Sequence, residues 1–338
     1  MRSSFGSHSA SLIVSLTVAL ALAAPPVAAQ DCPQLIGLWP YGPSWAVTAP
    51  GSHAYFGSGS LLKVAEASNP SAPLVVGSVA LPEEAQDIVV TGGYAFAADG
   101  SSGFRVIDVS DPSDPTEVAF VDTPGFAWRI AVSGGYAYIA AREDGFYLID
   151  VSEPTAPVQV GFVDVYVSDV AVSGSYLYVL GDDLHVVDIS NPSAPVEVGF
   201  VDLPARASGI GVSDGYAGIA ALEAGLWVID VSVPSNPELV GSVDTPGSAV
   251  SVAMTGSYAY VADHDTGLRA VDLGEPTAPT EVGFYDTAGS AFNVELWGGY
   301  VFVADGTEGV AVFLKCGASL FSDGFESGDT SAWSATVP

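Results

Sequence analysis

A tyrosine that follows a glycine-containing turn recurs at Tyr94, Tyr136, Tyr176, Tyr216, Tyr258 and Tyr300, and His53 holds the same register in "GSHAYF". Successive tyrosines are 40 to 42 residues apart. An apolar segment ending in an acidic residue and a Ser-x-Pro turn follows them: "FRVIDVSDP", "FYLIDVSEP", "LHVVDISNP" and "LWVIDVSVP". "LRAVDLGEP" is the same segment with Gly274 in place of serine, and "VGFVD" or a close variant comes next. A period near forty means an array of supersecondary units, each unable to bury its apolar surface alone.

Every unit reads as four strands, a to d. Strand a is "RIAVS" or "SVAMT", strand b "YAYIA" or "YAYVA", strand c "WVIDV" and strand d "VEVGFVD". Their connections are short and rich in Gly, Pro, Ser and Asp, as antiparallel hairpins require. Strands b and c are apolar at nearly every position, so both faces of each sheet are covered. Small four-stranded sheets stacked face to face around an axis make a β-propeller, and seven b positions predict seven blades in an all-β chain.

The repeat has a ragged seam. The final unit supplies a, b and c, ending in "GVAVFLKC", with no d strand after Cys316, whereas "PQLIGLW" near the start matches a d strand such as "PELVGSV". The N-terminal segment is therefore expected to complete the last blade, since an open ring would leave a bare pairing edge. In register, Cys316 falls on Ser232 and Cys32 on Asn236, four residues apart across an intact c–d turn. That distance suits a disulfide, so Cys32 and Cys316 are predicted to bond.

Residues 1–29 read as an export signal: Arg2, then the apolar run Ser11–Ala24, then Val27 and Ala29 at small-residue cleavage positions. The run is short for a membrane span, so none is expected after cleavage. Asp31 before Cys32 speaks against a lipidated cysteine. The propeller is assigned to residues 30–317 and a tail to 318–338. Export to a secreted or cell-envelope destination fits a disulfide.

With 8 Lys and Arg against 39 Asp and Glu, the formal charge is −31, which disfavours nucleic acid and anionic lipid as partners. The a–b and c–d turns share one face and are monotonous. The b–c and d–a loops share the other and vary, the unit of Tyr176 being two residues shorter in each. Loops that vary on a rigid support commonly carry binding. The candidate residues on that face are Trp45, Asp122, Phe126, Trp128, Arg129, Tyr166, Asp182, Asp183, Arg206, Asp263, Asp265 and Asp305. Acids with aromatic anchors suit an unidentified protein, a glycan or a cationic ligand.

Asp263 and Asp265 in "DHDTG" are candidate calcium ligands, although no complete D-x-D-x-D-G loop is present. No other cofactor is expected. The acids closing strand c (Glu66, Asp108, Asp150, Asp188, Asp230 and Asp272) recur too often to be catalytic and are expected to bond the following turn. Apart from His8 in the signal, the histidines are His53, His185 and His264, in three different repeats, with His185 expected to be packed within strand c. No nucleophile elbow or metalloprotease motif is present, so no catalytic residue is assigned. The alternatives to an interaction module are a carboxylate-based hydrolase or lyase on the same face, using a pair such as Asp182 and Asp183, or a structural envelope component.

The segments "FRVIDVSDP", "FYLIDVSEP" and "LWVIDVSVP", each followed by "VG" or a close variant and then "GYAYVA"-type strands, resemble the LVIVD repeat family between about Cys32 and Cys316. The resemblance implies a β-propeller in an exported or surface bacterial protein and brings no site residues with it. "LFSDGFESGDTSAWSATVP" is similar to a short terminal tail of exported bacterial proteins, which implies sorting or processing.

Overall fold

The computed structural model describes residues 32–317, so the expected signal and tail lie outside the described residues. Twenty-eight strands form seven four-stranded antiparallel sheets. Blades 2 to 6 run a to d in unbroken order, from Asp87–Val121 through Arg129–Val163, Asp169–Val201 and Gly209–Val243 to Ser251–Tyr285. Blade 1 spans Val47–Ala80 in the same order. Blade 7 is composite: Asn293–Trp297, Tyr300–Ala304 and Val310–Leu314 are completed by Gln34–Trp39 from the start of the chain.

The burial of the inner strands explains their composition. In blade 3, Ala137, Tyr138, Ile139 and Ala140 of strand b are all buried, although successive side chains point to opposite faces. Each face meets a neighbouring blade. The apolar residues accordingly gather into seven clusters, one at each interface between successive blades, including one between blade 7 and blade 1.

Five of the six acids at the end of strand c bond the following turn as expected, whereas Glu66 of blade 1 accepts no such bond among the described residues. Asp108, Asp150, Asp188 and Asp230 each accept the backbone N–H of the serine two residues on, and Asp272 accepts that of Gly274. Those serine bonds hold the four serine-facing carboxyls below their ordinary range. The turns on this side are thus satisfied from within.

At the seam, Leu35 lies opposite Phe313 and Trp39 opposite Val310, with a bulge between Leu35 and Gly37. The d strands of blades 2 to 6 bulge against strand c as well. Gly37 packs against the carbonyl of Pro70 as Gly241 packs against that of Pro276, and a β-carbon at either would collide. Trp39 is wholly buried between Phe56 and Phe302, both 5.6 Å away, and donates its indole N–H to Pro70 O at 2.8 Å. Cys32 and Cys316 are bonded, their Cα atoms 5.3 Å apart and 284 residues apart in sequence.

Closing so long a loop removes roughly 5 kcal/mol of unfolded-state entropy in the chain-entropy model. Replacing both cysteines by serine is expected to lower stability by about 2–5 kcal/mol in denaturant unfolding, and W39A by about 3–5 kcal/mol. An unchanged midpoint in the double-serine protein would show that strand pairing alone holds the seam.

Candidate functional site

The b–c and d–a loops do more than cap the blades: they clasp one another. The second b–c residue of one blade bridges the segment leading into the next, pairing Gly100 with Ala127, Arg142 with Val167, Leu222 with Ala249, His264 with Ala291 and Gly306 with Ser44. Behind that residue sits a buried acid in three blades. Asp99, Asp263 and Asp305 are at most 1% exposed. Asp263 accepts the hydroxyls of Thr245 and Thr266 and the N–H of Gly247, while Asp305 accepts from Thr287 and Gly289. Arg105 and Arg269 lie beside Asp99 and Asp263 at 3.7 and 3.5 Å.

These acids are loop anchors facing inward. Asp263 and Asp265, the calcium candidates, diverge: the side chain of Asp265 is exposed and meets His264 at 3.0 Å and the Ser290 hydroxyl at 2.7 Å. Among the described residues no three His, Cys, Asp or Glu side chains gather where a metal could be held.

The a strands of all seven blades line an axial cavity of about 530 Å³. Asp87 and Arg129 open strand a of blades 2 and 3, so Arg129, a candidate for the loop face, belongs to a strand that lines the axis. Arg129 is only 4% exposed, because the first residue of strand a turns toward the axis. The Asp87 carboxylate accepts the N–H groups of Ile88 and Ile130, and that of Asp169 accepts those of Val170 and Ile210, so each ties its own blade to the next. Burial pushes Asp169 up to about 7 against the pull of Arg129, and Glu295, farther along the cavity, also to about 7. Desolvation likewise raises Asp99 to about 6 and shifts Asp87 upward.

The exposed part of the face is a set of small polar groupings. Arg206 bonds Asp182 at 2.7 Å, approaches Glu143 at 3.9 Å and lies 4.2 Å above the Tyr166 ring. Asp183 accepts the N–H of Leu203. Trp45 donates to Glu84 and meets Phe292 edge-on at 4.3 Å. Phe126 stands 6.1 Å from Trp128, and its backbone N–H is held by Asp144. Asp122, Asp164, Asp202, Asp244 and Asp286 are exposed at the ends of the d strands.

The shortened loops of blade 4 leave a cleft of about 510 Å³ against blade 3, lined by Tyr138, Phe146, Leu177, Val179 and His185. Contrary to expectation, His185 is not packed. Its side chain is 40% exposed and bonds Glu197 at 3.2 Å. Arg105, Tyr147, Trp227 and Arg269, all larger side chains, hold the matching position in other blades.

Arg142, Leu222 and Phe292 were not singled out from the sequence, and His264 was named there only as a histidine, yet all four surround the mouth of the axial cavity together with Trp128, Arg129 and Tyr166. A signal was present. Arg142, Leu222 and His264 stand where Gly100 and Gly306 stand in other repeats. That register carries φ values from 49° to 58°.

A model of the LVIVD repeat matches seven times, over residues 41–80, 82–123, 124–165, 166–203, 204–245, 246–287 and 288–312. No curated protein matches the chain in sequence. Among solved structures, the chain is similar to the Pan2 WD40 domain of Neurospora crassa, with TM-score 0.64, 11% identity, and 85% of this chain and 96% of that one covered. A chain of the mitotic checkpoint complex gives 0.66 at 12% identity, covering 90% and 98%. BamB from Moraxella catarrhalis gives 0.54 at 15% identity, covering 81% and 83%. Identities this low show the fold alone.

The buried acids set a pH dependence. A carboxyl raised by burial keeps a proton in the folded state that the unfolded chain releases. Its contribution is fully present below the unfolded value near 4 and is lost as pH rises through about 6 for Asp99 and about 7 for Asp169 and Glu295. The serine-bonded aspartates act oppositely and lose theirs as pH falls below the ordinary carboxylate range. The protein is therefore expected to be more stable near pH 5 than near pH 8 in urea unfolding, with D169N reducing the difference. The same difference in D169N would show that Asp169 is not a titrating group.

Proposed function

The chain belongs to the LVIVD repeat family, and from that premise we propose that it is an exported, non-enzymatic interaction module whose working surface is the acidic b–c/d–a face. The asymmetry between the two faces carries this reading. On the a–b/c–d side the acid closing strand c in blades 2 to 6 is spent on its own turn, as Asp150 and Asp230 are with Ser152 and Ser232. On the other side exposed acids such as Asp122, Asp202 and Asp244 have no such duty among the described residues, and the loops differ from blade to blade.

A net charge of −31 favours a basic protein or another cationic partner by long-range attraction and disfavours nucleic acid. The fold is also used by a chain of an assembled complex, the mitotic checkpoint complex, which suits a module that joins other molecules. The disulfide is compatible with export to an oxidising compartment. No helix among the described residues is long and apolar enough to cross a membrane.

Hydrolysis or elimination through Asp182 and Asp183 has less support. Asp182 is engaged by Arg206 and Asp183 by the Leu203 N–H, so neither is a free acid or base. The interaction reading is tested by capture from a cell-envelope extract. D122N/D202N/D244N is expected to lose a salt-sensitive partner that D114N/E153Q/E275Q, changed on the opposite face, retains. Equal capture by both variants would place the working surface elsewhere.

A further inference from the structure

We propose that the mouth of the axial cavity is a binding site for a small organic monoanion, a free carboxylate no larger than a single sugar or amino acid. The inference rests on the reading of the loop face as the working side, but its ligand is opposite in charge to the partner proposed for the rim.

Three buried N–H donors at this mouth lack an acceptor among the described residues: Trp128 Nε1, Arg129 Nε and Arg142 Nε. A buried donor left unpaired costs on the order of 1–3 kcal/mol, and more if charged. All three residues line one pocket of about 220 Å³. Both guanidiniums lie over the Trp128 ring, Arg142 at 3.8 Å and Arg129 at 5.3 Å. Arg129 reaches only the carbonyls of Gln86 and Phe292, at 3.4 and 3.3 Å.

The chain has 39 acids for 8 basic residues. Arg105, Arg206 and Arg269 each pair with a carboxylate, whereas Arg142 forms no ion pair among the described residues. Burial and the neighbouring Arg129 charge both pull the Arg142 pKa down, with Tyr166 and Glu143 acting the other way. An anion in the pocket that both residues line would offset this repulsion.

Backbone conformation is an independent observation. Arg142, Leu222 and His264 adopt φ of 53°, 54° and 49°, in the register where Gly100 and Gly306 adopt 58° and 55°. Glycine takes this conformation freely, while a residue with a β-carbon is strained by about 1–2 kcal/mol. The backbone bridge to the next blade forms with glycine as well, as the Gly306–Ser44 pair shows. The strain is therefore tied to the side chains, and all three line this pocket.

Charge and size narrow the ligand. Asp87 and Asp169 lie below Arg129, Glu143 and Asp182 flank Arg206, and Asp265 holds His264. Those acids repel a second negative charge, which favours a carboxylate over a phosphate dianion. A planar carboxylate also matches the fork of a guanidinium. The pocket is smaller than the roughly 300–1,000 Å³ that holds drug-sized ligands. Trp128, Leu222 and Phe292 offer apolar walls to a short body.

Titration calorimetry with intrinsic tryptophan fluorescence, using acetate, lactate, benzoate and glucuronate with their amides or neutral analogues as controls, tests the site. Saturable binding of at least one acid and none of its neutral counterpart is expected. R142Q and R142K should weaken it by about tenfold or more, a factor typical of losing one charged contact. R142G should also lose binding yet raise the melting temperature, because glycine relieves the φ strain. D122N/D202N/D244N should bind the acid at least as well as the unaltered protein, so failure of the rim reading and failure of this one are separable. Absence of saturable binding across the panel up to about 10 mM, or equal binding by R142G, overturns the proposal.

Discussion

Ring closure by Gln34–Trp39 against Val310–Leu314 is the pairing on which everything else rests. An open stack of seven blades would have six interfaces and two bare ends. Closure adds the seventh interface, where Trp39, Phe56 and Phe302 are wholly buried. It also covers the outer edge of Val310–Leu314, which would otherwise offer unpaired backbone groups to another chain. The disulfide reinforces this junction covalently at the point where every other blade has a continuous c–d turn. The axial cavity and its mouth exist only because seven a strands are held at one radius.

Closure explains why polar residues tolerate burial inside the ring. Asp87 and Asp169 each accept one N–H from their own blade and one from the next. Such a bond forms only if neighbouring blades keep a fixed offset. Asp99, Asp263 and Asp305 do the corresponding work between loops. A buried carboxylate without these donors would be costly. Supplied with them, it couples one blade to another, and the same desolvation pushes Asp99 and Asp169 upward.

The blades, their number, the composite seventh sheet and the cysteine pair were legible in the sequence, because each follows from a period and a register. Strand c aspartates were legible for the same reason: the Asp-x-Ser spacing is local chemistry. The loop face was harder to read. Asp263 and Asp265 are two residues apart, yet one faces a buried threonine and the other solvent, and spacing does not reveal which. Arg129 opens strand a, as "RIAVS" implies, but nothing in "TPGFAWRI" says that its side chain is buried toward the axis. Its approach to Phe292, 163 residues away, is set by the curvature of the whole ring. Arg142 sits in no motif, and only its alignment with Gly100 and Gly306 marks it as a departure.

A seven-fold structure with one function faces a symmetry problem. Whatever every blade shares cannot single out one site, so specificity must lie in the departures. Departures in this chain are not scattered. Blade 4 has the short loops, blades 3, 5 and 6 carry a side chain where glycine would suffice, and blade 3 alone contributes both Trp128 and a pair of adjacent arginines. All of them meet on the same side of the ring, and most meet at its axis. The repeats build a rigid frame with equivalent positions, and Arg142, Leu222 and His264 use one such position to line a single pocket. Repetition accounts for stability, and the breaks in repetition are where one side of the ring differs from the other.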